Sequence, residues 1–153
     1  MDRENIKAIE RGKQTLTKTE ILASINTNLI AHMATVEGDK PHVRGMGIYR
    51  VDENGIVIQT WKKKDIHRQL MKNPEIELCF NSKDGKQIRV NGKVELVEDL
   101  GLKKEVEARR TFMTPIIERL GGYDAVAMWV MKHGKATVWT MAENFAPKTY
   151  VEL

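Results

Sequence analysis

The chain has little with which to build a covalent or metal-tied scaffold. It carries one cysteine in 153 residues, which excludes an internal disulfide framework. Cys79 stands in the apolar run Ile76-Glu77-Leu78-Cys79-Phe80, where a packed thiol is expected rather than a nucleophile. The histidines, His32, His42, His67 and His133, fall at no metal-binding spacing, and HExxH is absent, so no metal site is expected. GxGxxG, the P-loop sequence and GxSxG are missing as well. No apolar stretch is long enough to span a membrane, and the opening MDRENIKAIERGK lacks a signal-peptide core. With its single thiol, the chain is expected to be cytoplasmic. Aromatic residues make up only 6%, and Lys+Arg 25 is nearly matched by Asp+Glu 21, for a net charge of +4. A nucleic-acid surface needs a basic stripe and stacking rings, so that class is set aside.

What is present reads as one domain over residues 1–153. Apolar content of 41% beside 30% charged is ordinary for a soluble globular protein of this length. Residues up to about 26 read as helix, in two pieces with a break near Gly12, the second opened by the capping box Thr17-Lys18-Thr19-Glu20. Strands are expected over 29–36, from Pro41 to Val51, and over 55–61, 75–81, 86–97, 125–131 and 135–141. Turns fall at 37–40, 52–55, 82–85 and 132–134. Gly92 marks a bulge or sharp bend in the strand 86–97. Helical spacing returns over 65–72 and 98–120, with Thr114-Pro115 opening a second helix. The tail from Ala142 reads as irregular. Hairpin-linked strands with helices before, between and after make an α+β protein with a small antiparallel barrel of six or seven strands.

The stretch GIVIQTWKKKDIHRQLMKNP, residues 55–74, organises the rest. A short strand ends at Gln59, Thr60 and Trp61, and Lys62, Lys63 and Lys64 follow at once. Ile66 and Leu70 then recur at helical spacing, with Asp65 as the expected N-cap. Cations, free backbone N–H groups and the positive end of a helix meet at this corner, which suits a phosphate. No side-chain pair along the chain makes a convincing acid, base or nucleophile. If the protein is an enzyme, a cofactor carries the reaction. A flavin mononucleotide needs cations for its phosphate, backbone and amide groups for the ring edge, and an apolar or aromatic wall. Arg44, Gln59, Thr60 and the lysines meet the first needs; Gln87, Trp61, Trp129 and Trp139 are candidates for the others.

The order and spacing of ATVEGDKPHVRGMG, VDENGIVIQT, HRQLMKNPEIELCF and GKQIRVNGKVELVED resemble the FMN-binding split-barrel family of pyridoxamine 5′-phosphate oxidase and the small general stress protein flavoproteins. The resemblance implies a Greek-key split β-barrel that binds FMN, is homodimeric, and has its cofactor site at the subunit interface. It implies a flavin-site arginine at Arg44, followed by Gly45, Met46 and Gly47; a strand-end pair at Gln59-Thr60; and a ring-edge glutamine at Gln87. Two places depart from the oxidases. Their Ser-Arg-Lys at the phosphate corner reads Lys64-Asp65-Ile66 here, which moves the cationic duty onto Lys62, Lys63 and Lys64. The oxidase substrate lysine falls on Tyr49, and the C-terminal Arg-x-His segment has no counterpart. The resemblance therefore implies an oxidoreductase with a different small-molecule substrate. A non-catalytic flavin-binding stress or sensor protein, and a deazaflavin- or haem-binding relative, stand as alternatives.

Overall fold

Alternating apolar residues along the strands, and apolar stripes on the helices, put one core inside a barrel and a second outside it. In the computed structural model, which describes residues 15–153, all ten strands are antiparallel and fall into two sheets. They are β1 (Ile30–Glu37), β2 (Lys40–Gly47), β3 (Arg50–Asp52), β4 (Gly55–Trp61), β5 (Glu75–Asn81), β6 (Gln87–Lys93), β7 (Glu95–Val97), β8 (Val126–Met131), β9 (Gly134–Trp139) and β10 (Val151–Glu152). The helices are α1 (Lys18–Ile25), α2 (Asp65–Lys72), α3 (Leu100–Arg109) and α4 (Thr114–Arg119). One sheet runs β10-β9-β6-β5-β1-β2 and the other β3-β4-β8-β7. This is the expected α+β split barrel. The expected helix before Gly12 lies outside the described residues.

The strand count exceeds the six or seven expected because two long strands each change sheet and the tail adds β10. The stretch from Pro41 to Val51 breaks at Ile48, whose N–H donates to Leu29 O at 2.8 Å, while Tyr49 N–H donates to Val57 O at 3.1 Å. The backbone thus leaves the β1 side and joins β4. The stretch 86–97 breaks at Val94, whose N–H turns to Pro74 O at 3.0 Å. Both corner side chains are buried, so each corner is fixed by apolar packing. Gly92 is not a bulge: its register with Ile76 and Gly134 is continuous. A Cβ there would lie 2.7 Å from His133 O, so glycine is needed for close backbone approach. The tail is not wholly irregular either, since Val151 and Glu152 pair with Ala136 and Lys135 as β10.

The inward faces of β1, β5, β6 and β8 supply Met33, Leu78, Phe80, Ile88, Val90 and Trp129 to the first core, which α1 and α2 close with Ile25, Ile66 and Leu70. The other faces of β4 and β8 carry Val57, Val126 and Met128 into a second core under Val106, Met113 and Ile117. Strand β4 is therefore buried on both sides. Thr17 Oγ1 accepts from Glu20 N–H at 3.2 Å and caps α1, and proline stands in the first turn of α4. No helix among the described residues is long and apolar enough to cross a membrane.

A polar clamp fixes α1 to the β5–β6 turn. The Asp84 carboxylate accepts from Ser24 Oγ at 2.8 Å, from Lys86 Nζ at 2.7 Å and from Ser82. Lys86 first, then Ser82, holds its pKa well below the usual carboxylate range. A depressed carboxylate stabilises the fold above its unfolded pKa and loses that contribution as pH falls toward the folded value. Because the pair is partly exposed, Asp84→Asn is expected to cost about 1 kcal/mol at pH 7, roughly 2–4 °C in Tm. The gap between variant and wild type should close on acidification, as thermal melts across pH 2–7 would show.

Candidate functional site

A bay of about 550 Å³ lies between β2 and α2. It is lined by residues 42–46 of β2, by Lys63 and Lys64 at the corner, and by Asp65, Ile66 and Gln69 of α2. The local sequence explains its shape. β4 ends at Trp61, a turn closes as Lys64 N–H donates to Trp61 O at 3.0 Å, and α2 begins at once. Lys64, not Asp65, occupies the N-cap, with no side-chain capping bond. Asp65 is the first helical residue, and its carboxylate lies 3.3 Å from Arg68. The correction follows from backbone geometry: Lys64 has the extended conformation of an N-cap. His67 N–H also returns to Lys64 O at 3.1 Å.

Arg44 is the best-anchored cation of the bay. Its Nη1 donates to Thr35 Oγ1 at 2.8 Å and to Met33 O at 3.3 Å, and its Nη2 donates to Gln69 Oε1 at 2.6 Å. These acceptors are neutral, and among the described residues no carboxylate stands within ion-pair distance of the guanidinium. Burial lowers the Arg44 pKa and nearby Asp65 opposes the shift; an arginine so placed remains charged. Thr35 and Gln69 were not anticipated. Both leave a signal in the sequence: Thr35 interrupts the apolar run LIAHMATV, and Gln69 lies on the α2 stripe between Ile66 and Leu70.

The structure brings Arg44, Gly45, Met46, Lys63 and Lys64 together and disperses the other candidates. Lys62 turns away and pairs with Glu98 at 2.9 Å. Glu98 also holds the buried Lys103 at 2.7 Å, and Lys103 donates to Tyr123 O at 3.1 Å. Gly47, at the end of β2, receives Arg110 Nη2 on its carbonyl at 3.1 Å. Along β4 the side chains alternate. Thr60 sits opposite Ala127 of the barrel core, whereas Gln59 and Trp61 sit opposite Met128 and Val126 of the second core. Trp61 packs in that second core. The amide of Gln59 donates to Thr60 O at 2.9 Å. Thr60 Oγ1 is buried with no hydrogen-bond partner among the described residues.

Gln87 lies on the outward face of the six-stranded sheet, paired with Trp139 and Asn81. Trp139 Nε1 donates to Asn144 Oδ1 at 2.9 Å. On the same face Val43 is 70% exposed. Trp129 is a core residue whose Nε1 donates to His67 Nδ1 at 3.3 Å. His67 thereby anchors α2 to β8. Burial, then Lys62, lowers its pKa, so the imidazole is neutral and accepts at physiological pH.

The bay can hold an anion: three cations converge on it against one carboxylate, at a helix start. Its volume is in the range of small-ligand pockets. The side chains gathered there form no nucleophile–base pair.

The sequence model of the family described as pyridoxamine 5′-phosphate oxidase matches residues 17–130. No curated protein matches by sequence. Among solved structures, a NimC/NimA family protein from Clostridium acetobutylicum superposes with a TM-score of 0.70 at 21% identity, over 88% of this chain and 92% of its own. A pyridoxamine 5′-phosphate oxidase-related, FMN-binding protein from Nostoc punctiforme PCC 73102 gives 0.57 at 13% identity, over 81% and 86%. An FAD-binding protein from Mesorhizobium loti gives 0.61 at 14% identity, over 82% and 95%. At these identities the likeness concerns the fold.

Proposed function

The chain belongs to the pyridoxamine 5′-phosphate oxidase family, and on that premise we propose that it is an FMN-binding flavoprotein, of general stress protein type, acting as an oxidoreductase on a small substrate other than pyridoxamine phosphate. The observation that carries the reading is the uncompensated Arg44 guanidinium facing a bay that Lys63 and Lys64 close. A phosphate monoester supplies the charge that these groups lack. The rest of the bay fits a flavin as well. Met46 and Ile66 offer apolar surface beside the cations. The FMN-binding and FAD-binding structural neighbours support flavin as the ligand class.

In this reading Arg44, Lys63 and Lys64 hold the phosphate, and the backbone of Gly45 and Met46 lies along the ring. A bound flavin supplies hydride transfer. The protein's own groups bind, orient and shield. The site belongs to a homodimer interface: Gln87 lies on the open outward face of the sheet, beyond the bay of its own chain, and serves the ring edge from the partner. The exposed Val43, and Ile30 at 64% exposure, are the apolar surface such a partner would cover.

The first test is the absorption spectrum of the purified protein, with release and identification of any chromophore. FMN in the released fraction supports the reading. A colourless protein that takes up no added FMN overturns it, and deazaflavin and haem are then tried. Reduction of bound flavin by a nicotinamide donor, with turnover on an acceptor, distinguishes an oxidoreductase from an inert binder. Light scattering reads the dimer directly. The lysines give a sharper test. Lys63→Ala with Lys64→Ala is expected to weaken FMN about tenfold, whereas Lys62→Ala, already spoken for by Glu98, should change it less than about threefold. Equal losses in the two proteins would sink the assignment.

A further inference from the structure

The hydrogen bonds around Arg44 form a closed ring whose two arms both start at the guanidinium and end on Gln69 Oε1. Arg44 Nη1 donates to Thr35 Oγ1 at 2.8 Å, the Thr35 hydroxyl donates to Gln69 Oε1 at 2.6 Å, and Arg44 Nη2 donates to that same oxygen at 2.6 Å. Thr35 is fully buried and Gln69 is 3% exposed. A hydroxyl has one proton, and here it goes to Gln69, which leaves a Thr35 lone pair for the guanidinium. The Gln69 amide has only one end that fits, because its NH₂ group would meet the guanidinium, which can only donate. The ring therefore fixes both the direction of Arg44 and the orientation of Gln69. It does so with neutral oxygens alone, so no charge is spent inside the protein. A carboxylate in that place would aim the guanidinium equally well but cancel its charge.

We infer that Gln69, backed by Thr35, is a positioning residue that keeps Arg44 aimed and uncompensated, and so sets the preference of the bay for a doubly charged phosphate monoester over an uncharged ligand of the same shape. Gln69 stands between Ile66 and Leu70 on the buried stripe of α2, where packing alone asks for an apolar residue. The inference rests on the flavin reading for its probe, since FMN and riboflavin differ only in the phosphate.

The experiment titrates FMN and riboflavin into the full-length wild type, Gln69→Glu and Thr35→Val. It is run at pH 8 so that the new carboxylate, which lies near Glu37, is ionised. Gln69→Glu is expected to raise the FMN Kd at least about tenfold and leave the riboflavin Kd within about twofold. Thr35→Val should move FMN alone in the same direction by about threefold, and it carries the test if Gln69→Glu does not fold. Parallel loss of both flavins, or unchanged FMN affinity in a folded variant, overturns the inference. A wild type that binds neither flavin overturns the flavin reading. Gln69 is then judged on inorganic phosphate, followed by the NMR signal of the Arg44 side chain. Loss of the phosphate response in Gln69→Glu supports the inference, and an equal response, or none in the wild type, overturns it.

Discussion

Arg44→Met is expected to weaken FMN by about 2–3 kcal/mol, roughly 30- to 150-fold in Kd, while riboflavin binding changes little. The size follows from what is removed. The guanidinium is partly desolvated and its other hydrogen bonds go to Thr35, Met33 and Gln69, so a phosphate would be its one anionic partner. Charge-assisted hydrogen bonds of this kind are the strong ones. Methionine keeps most of the stem that packs beside the barrel, so the loss reads charge and hydrogen bonding rather than a cavity. The fold should survive: Thr35 still donates to Gln69, and the melting temperature should fall by no more than about 4 °C. A riboflavin affinity that falls alongside FMN would place Arg44 in the architecture rather than at the phosphate.

Gly55→Ala is expected to destabilise the protein by about 3 kcal/mol or more, near 10 °C in Tm. Two independent strains add. Gly55 has φ of +123°, a conformation closed to residues with a side chain. A Cβ there would also lie 2.4 Å from Met131 O and 3.3 Å from Lys132 Cα, backbone atoms that cannot move aside without opening the pairing of β4 with β8. Gly38 is the internal control. It too has positive φ, +63°, but a Cβ there meets nothing within 4 Å. Gly38→Ala should therefore cost only about 1 kcal/mol. Similar melting temperatures for the two variants would show that the close approach at Met131 is not limiting.

The corner between β4 and α2 was legible because the hydrophobic period changes within four residues, from the alternation ending at Trp61 to the helical stripe beginning at Ile66. The barrel was legible from the hairpin turns and from a glycine in the middle of a long strand, Gly92. The breaks at Ile48 and Val94 were not. Apolar alternation runs straight through Val94 and merely changes parity after Ile48, and alternation records which face a residue takes, not which strand lies beside it. The site divided along the same line. Arg44 to Met46 and Lys63-Lys64 share a bay because they adjoin in the fold as their segments suggest. Lys62 leaves it because Glu98, remote in sequence, supplies a nearer partner. Gln69 escaped notice because a glutamine in a short helix reads as solvated, and only its buried environment reveals its task. Gln87 was legible as outward-facing, but no single chain states what meets it.

β2 is the outer strand of its sheet, and half of its backbone hydrogen-bonding groups face no neighbour there. An edge strand of this kind is also a template on which a foreign strand could add, the usual start of edge-to-edge aggregation. Its sequence limits the hazard. Pro41 removes a donor, Lys40 puts charge on the edge, and Gly45 and Gly47 weaken β-propensity. The composition that suits the bay is thus also one that resists polymerisation, and polar-to-apolar changes along residues 40–47 would be felt first as lost solubility.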